Sequence, residues 1–159
     1  VISNFPNNSS ATFHTFEGRG GGALTFRVNS NGNVQNVNNS YGAISDINLK
    51  ENIADASSQW DDIKAVKVRK FSWKSDKKDK ADMLGVIAQE LETAGMGGLV
   101  NEHPDTVQKE DGSYEQTGTS HKSVKYSILY MKAIKALQET MTKVEKLETV
   151  AKSKGWDLS

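Results

Sequence analysis

The chain has 159 residues, 36% of them apolar, with no cysteine and with twenty basic side chains against twenty acidic ones. The lack of cysteine excludes disulfides and thiolate metal sites and suits a reducing cytoplasm or indifference to redox state; zero net charge offers no global field for nucleic acid or an anionic membrane. No apolar run reaches the twenty or so residues that a membrane helix needs, and no signal peptide is visible, while a first residue of Val rather than Met fits the tail of a longer polypeptide.

Residues 1–44 contain no lysine and are rich in Gly, Asn and Ser. Ala11–Phe16 and Ala23–Val28 alternate as strands do, separated by Gly18-Arg19-Gly20-Gly21-Gly22 and followed by a turn at Asn31-Gly32. Val34 and Val37 then punctuate an Asn-rich stretch to Tyr41. Two short strands and a polar stretch are too little for an independent sheet. Three copies wound together would complete one another's hydrogen bonds and core, as in a fibrous triple β-helix. The other reading is a disordered linker.

Composition changes at Ser45-Asp46-Ile47-Asn48-Leu49-Lys50-Glu51-Asn52-Ile53, beyond which the chain is charged and periodic. Ser45 has two readings. It is a helix N-cap, since Ser or Asp ahead of an apolar-periodic run satisfies orphan backbone N–H groups, or it is a nucleophile with Lys50 as its base.

From Glu51 the pattern is globular. An acidic-tipped helical turn is expected around Trp60, and Val66–Trp73 reads as a strand rich in β formers. Lys74–Lys80 mixes lysine and aspartate as a solvated turn does, with too many acids for a nucleic-acid patch. Ala81–Gly95 reads as a helix with Leu84, Ile87, Ala88 and Leu91 on one face and Gly95 at its end; Glu90, on that helix, reads as a structural contact or an exposed position rather than half of a catalytic pair. Glu102–Lys122 is a polar excursion centred on Asp111-Gly112, with hairpin arms at Thr106–Lys109 and Ser113–Thr117. His14, His103 and His121 are dispersed, without the spacing of a metal site. Ser123–Lys152 is a long helix on which Tyr130, Ile134, Leu137, Met141 and Val144 draw an apolar seam at heptad spacing, broken at Glu148. Its first half, thickened by Tyr126, Ile128, Leu129 and Met131, is expected to pack on its own domain, and its second half on symmetry mates.

Ser45-Asp46-x-x-Leu49-Lys50-Glu51-Asn52-Ile53, Gly85-Val86-Ile87-Ala88-Gln89-Glu90-Leu91 and Tyr126-x-x-Leu129 occur here in that order. Over roughly Ser45 to Leu147 the chain resembles the self-cleaving intramolecular chaperone domain at the C-terminus of phage tailspikes, tail fibres and neck appendages, including endosialidase. The resemblance implies a homotrimeric α+β protein: the end of a triple β-helix stalk at 1–44, then a small mixed domain at 45–159 with a hairpin protrusion and a long C-terminal helix. It implies a folding aid that registers the upstream β-helical part of its own polypeptide and then releases itself. By residue match Ser45 is the nucleophile and Lys50 its base. The setting implied is a virion tail-fibre precursor assembled in the host cytoplasm, with neither cofactor nor metal, nucleic acid nor membrane. The alternatives are a non-cleaving trimerisation tip in which Ser45 merely caps, or a receptor-binding tip using Trp60, Trp73 or Trp156.

A serine hydroxyl becomes nucleophilic when neutral lysine takes its proton. Bringing free lysine from its ordinary value near 10.4 to about 7 corresponds to about 4 to 5 kcal/mol of destabilised ammonium. Burial against Ile47, Leu49 and Ile53 would supply it, provided Asp46 and Glu51 point elsewhere. Residues five apart on a helix lie about 140° from one another, so the segment must bend, or the partner must come from another chain. The scissile bond adjoins Ser45, within Ile44-Ser45-Asp46. Attack on the Ile44 carbonyl passes through a five-membered ring and yields an ester that water opens; attack on the serine's own carbonyl needs a strained four-membered ring. Intramolecular chemistry favours Ile44–Ser45, while the resemblance fixes the serine but not the side that is cut.

Overall fold

The computed structural model describes residues 14–29, 32–74 and 82–156. The chain divides into two compact units, Val1–Ile53 and Ala54–Ser159.

In the first unit, β1 (His14–Gly20), β2 (Ala23–Asn29) and β3 (Val34–Asn36) form an antiparallel meander in sequence order. Gly21 and Gly22 take positive φ between β1 and β2, where a side chain would be strained. Gly32 does the same before β3. Across β1 and β2 the Phe16 and Phe26 rings meet edge to face at 5.8 Å, and Arg27 Nε donates to Gln35 Oε1 at 2.6 Å between β2 and β3. The strand expected at Ala23–Val28 is present as β2, whereas β1 runs on through Gly18, Arg19 and Gly20, which the sequence placed between the strands, and a third strand is drawn from the Asn-rich stretch; residues 11–13 and Asn31 lie outside the described residues. From Tyr41 onward the segment has no strand and is exposed, with a single 3-10 turn at Ile47–Leu49.

The second unit contains α1 (Trp60–Ala65), β4 (Arg69–Phe71), β5 (Met83–Gly85), α2 (Ala88–Thr93), a 3-10 turn at Gly97–Leu99, β6 (Val100–Gln108), β7 (Tyr114–Val124) and α3 (Tyr126–Ser153). Mixed elements with small sheets and a long last helix agree with the α+β expectation. Its core is the cluster Leu91, Met96, Leu99 and Leu129, flanked by Ile63, Val66, Val86, Ala94, Val100 and Val124. One side chain from nearly every element meets there. The base of the hairpin is tied to it as well, Lys125 N donating to Leu99 O at 2.8 Å.

The sequence reading of one helix over Ala81–Gly95 is corrected. Met83–Gly85 is a strand, paired antiparallel with β4 through Arg69↔Gly85, Lys70↔Leu84 and Phe71↔Met83. Helix starts only at Ala88 and ends at Gly95, whose φ is +80°. Leu84 therefore projects into solvent instead of joining Ala88 and Leu91 inside. Pairing with β4 overrides the local 3.6-residue pattern, and Gly85 is needed there: a Cβ would stand 2.8 Å from the Tyr126 hydroxyl oxygen. The Val66–Trp73 strand is present in shortened form, as β4. Residues 75–81, including most of the expected Lys74–Lys80 turn, lie outside the described residues.

The expected hairpin is present and longer than its proposed arms. β6 and β7 pair from Val100↔Val124 out to Gln108↔Tyr114, and Gly112 closes the turn at φ +82° with Lys109 N donating to Ser113 O at 2.8 Å. The ladder shifts between Pro104 and Thr106, opposite Gly118 at φ +79°. Proline has no N–H to donate, so a register break is where a strand tolerates it.

Helix α3 packs on α1 through polar contacts. Glu139 accepts from Ser58 Oγ at 2.9 Å and from Gln59 N at 3.0 Å, thereby capping a helix whose own N-cap side chain does not. Lys132 Nζ reaches Asp62, and Lys143 Nζ lies 3.3 Å from the centre of the Trp60 ring. Leu129 and Ala136 are buried, whereas Tyr130, Ile134, Leu137, Met141 and Val144 are exposed in the single chain. Among the described residues no helix is long and apolar enough to cross a membrane.

Leu91 is 2% exposed at the centre of the core. Leu91→Ala is expected to lower the stability of residues 54–159 by about 2 to 5 kcal/mol, the range for a buried leucine whose cavity relaxes only in part. Urea denaturation followed by far-UV circular dichroism measures it, and a loss within experimental error would mean that the cluster is not the core.

Candidate functional site

The border motif folds locally into a tight bend. Asp46, extended at φ −71° and ψ 135°, caps the 3-10 turn, its Oδ1 accepting from Asn48 N at 2.8 Å and from Asn48 Nδ2 at 2.9 Å. Leu49 N donates to Asp46 O at 3.2 Å and Lys50 N to Ile47 O at 3.1 Å. Lys50 then leaves the turn in extended conformation, at φ −124° and ψ 147°. Extended residues at both ends of a single turn bring together two side chains that a regular helix would hold apart. Lys50 Nζ lies 2.6 Å from Ser45 Oγ.

Of the two readings of Ser45, capping is the task that Asp46 performs. An Asx side chain bonding the backbone N–H two residues ahead is a recognisable local pattern, and it was the signal in the sequence that assigns the cap to Asp46. Asp46 is occupied by Asn48, and neither Asp46 nor Glu51 forms an ion pair with Lys50 among the described residues. The expected apolar cover over Lys50 is absent from the single chain. Ile47, Leu49 and Ile53 are 70%, 72% and 64% exposed, and Ile44, Ser45 and Lys50 are exposed too.

Glu90 is a structural contact. Arg69 of β4 grips its carboxylate with both Nε and Nη2, at 2.9 and 2.5 Å. The hydrogen bond from Arg69, then its charge, holds the Glu90 carboxyl below the ordinary glutamate range. Lys122 and Glu92 make a second such link, from β7 to α2.

His103 and His121 face each other across the hairpin, their rings stacked at 5.4 Å. His121 Nδ1 is 2.6 Å from Asp105 Oδ1, and Asp105 also accepts from Thr119 Oγ1 at 2.7 Å. Those bonds, that from Thr119 foremost, hold the Asp105 carboxyl below its usual range. Both histidines are surface hairpin residues, and His14 begins β1. Among the described residues no group of three metal-ligating side chains is placed to hold an ion. The tryptophans are dispersed as well: Trp60 lies beneath Lys143, Trp73 meets Phe71 edge to face at 5.7 Å, and Trp156 follows α3.

Part of the chain is similar to known proteins. Residues 45–101 match a peptidase family described as chaperone of endosialidase. That segment of the chain, from the Ser45 motif through Gly85–Leu91, carries the family's sequence pattern, as the resemblance in the motifs implied. Among solved structures, the carboxy-terminal domain of the bacteriophage T5 L-shaped tail fiber with its intra-molecular chaperone domain matches at 17% identity and a TM-score of 0.45. The alignment covers 80% of this chain and 41% of that one. No curated protein matches.

Because the folded-state carboxyl of Glu90 titrates below its unfolded value, its contribution is complete above the ordinary glutamate range and is lost as pH falls through the lowered value. Glu90→Gln is therefore expected to be less stable than the parent at pH 7, the difference closing under acid conditions. Urea midpoints at pH 7 and pH 3 check this; an equal difference at both would show that the Arg69 pair contributes nothing through its charge.

Proposed function

We propose that this chain is a homotrimerising intramolecular chaperone for a β-structured phage fibre of which residues 1–44 are the end, and that it releases itself by cleavage next to Ser45. The observation that carries the proposal is the 2.6 Å contact between Lys50 Nζ and Ser45 Oγ, in a segment that matches the chaperone-of-endosialidase family and where Asp46 has taken over the cap.

With the amine protonated, the bond runs from Nζ to Oγ. With the amine neutral it runs the other way, and the serine proton has an acceptor in place. Lys50 takes that proton as Oγ attacks the carbonyl carbon of Ile44. The resulting tetrahedral centre collapses with loss of the Ile44–Ser45 C–N bond, and the ammonium of Lys50 returns its proton to the departing Ser45 nitrogen. Ile44 is then esterified to Ser45 Oγ. Water opens the ester, leaving a carboxylate on Ile44 and a free hydroxyl and amino group on Ser45. The net change is hydrolysis of one peptide bond, which calls for neither metal nor cofactor.

The chaperone half of the proposal is supported by two features. The apolar seam of α3 is exposed along its length, and its heptad spacing suits burial against two copies of itself. Interchain β structure is non-local, slow to form and prone to register errors. A trimer clamp makes that search effectively intramolecular, at about millimolar strand concentration. In this reading the hairpin β6–β7 is the protrusion that embraces the growing stalk, the stalk is a triple β-helix, and the setting is a tail-fibre precursor assembled in the host cytoplasm.

Ser45→Ala and Lys50→Ala are each expected to leave an intact chain that still trimerises, while the parent yields two fragments. Denaturing gels, light scattering and mass spectrometry of the new termini read this out. A fragment beginning at Ser45 supports the Ile44–Ser45 break. Cutting by Ser45→Ala, undiminished cutting by Lys50→Ala, or a monomeric parent would overturn the proposal.

A further inference from the structure

We infer that the Asp111–Gly112 bond, at the tip of the β6–β7 hairpin, is a site of spontaneous backbone isomerisation to isoaspartate, and that Ser113 restrains the reaction. The tip lies in the second unit and takes no part in cleavage next to Ser45.

Asp111-Gly112 is the single Asp-Gly pair in the sequence. Glycine carries no Cβ beside its own nitrogen, so that nitrogen reaches the preceding aspartate side chain with little steric hindrance. The Gly112 nitrogen gives up its proton and attacks Asp111 Cγ. The carboxyl, in its acid form, loses its hydroxyl as water, and a five-membered succinimide closes. Water then adds to one of the two ring carbonyls. Opening at Cγ restores aspartate, whereas opening at the Asp111 main-chain carbonyl leaves Gly112 joined through Cγ. One water leaves and one returns, so neither an oxidant nor a cofactor enters.

In the folded chain each atom that must react is engaged. Asp111 Oδ1 accepts from Ser113 Oγ at 2.6 Å and from Ser113 N at 2.8 Å. Those two bonds, that from the hydroxyl foremost, hold the Asp111 carboxyl below the ordinary aspartate range, and an ionised carboxylate has no hydroxyl to lose. Gly112 N donates to Lys109 O at 3.0 Å, so the proton that must leave is already held. Gln108 Nε2 donates to Gly112 O at 3.3 Å and Lys109 N to Ser113 O at 2.8 Å, which resists the rotation of the Gly112 peptide that ring closure requires. All residues from Lys109 to His121 are exposed. Packing therefore supplies no restraint at the tip, and hydrogen bonds must.

The product would be costly to the hairpin. It adds one carbon to the main chain inside a turn whose arms are in register at Gln108↔Tyr114. It also moves the carboxylate onto Cα, away from the Ser113 bonds.

The test follows the full chain, Ser113→Ala and Ser113→Thr through weeks at 37 °C near pH 6. The peptide spanning Asp111-Gly112 is isolated after digestion, and its isoaspartyl fraction is read by chromatography and electron-based fragmentation. Mapping to that peptide separates the product from deamidation at Asn31-Gly32, which also raises the mass by about one dalton. In native buffer Ser113→Ala is expected to isomerise about three- to tenfold faster than the parent, the loss of one hydrogen bond to a carboxylate at an exposed site. Ser113→Thr, which keeps the hydroxyl, is expected to stay near the parental rate. A second comparison needs no variant: the parent in concentrated urea is expected to isomerise about tenfold or more faster than in native buffer. Equal rates for Ser113→Ala and the parent, a Ser113→Thr rate as high as that of Ser113→Ala, or a parental rate unchanged by urea would each overturn the inference. These rates are expected to be the same whether or not the chain has been cut next to Ser45.

Discussion

Burial of apolar surface in residues 54–159 is concentrated in one cluster, Leu91, Met96, Leu99 and Leu129, and the arrangement of that unit follows from it. Helix α2 is only six residues long, too short to persist on its own propensity. It persists because Leu91 is anchored, because Gly95 turns the chain back with Met96 N donating to Leu91 O, and because Leu99 follows into the same interior. The hairpin and α3 enter the cluster through Val100, Val124 and Leu129. Beyond that interior, polar links carry the contacts between elements: Arg69 to Glu90, Lys122 to Glu92, and Glu139 to the start of α1. Such exposed links fix orientation more than they stabilise.

A core of this size leaves much apolar surface in solvent. Besides scattered residues such as Val37, Val68, Trp73 and Leu84, one set runs down α3 and another lies around the 3-10 turn beside Ser45 and Lys50. Under the proposed homotrimer both sets have a partner of the same kind, another copy of the chain.

The site has an economical construction. A capping carboxylate, one turn and two extended residues suffice to place an amine on a hydroxyl, and none of them depends on a distant part of the chain. A contact this local needs no other part of the chain in place to form.

The residue order by itself determined the features that arise from near neighbours: the border at Ser45, the acid-capped bend after it, the Asp111-Gly112 turn, the end of α2 at Gly95 and the length of α3. Each is set within about one turn of chain by glycine's freedom at positive φ, by Asx bonding or by heptad spacing. Tertiary structure alone decided the rest. The pattern of Leu84, Ile87, Ala88 and Leu91 satisfies a helix, yet Met83–Gly85 is a strand because Arg69–Phe71 offers it hydrogen-bond partners from a distant stretch. Glu139 caps a helix some eighty residues before it, and Met96 and Leu99 become core only because α3 and the hairpin close over them. The seam on α3 is visible in the residues, but its exposure became evident only when the chain's own core proved to be filled by Leu129 and its neighbours. Periodicity records which side chains share a face, whereas what that face meets depends on residues far away in the chain.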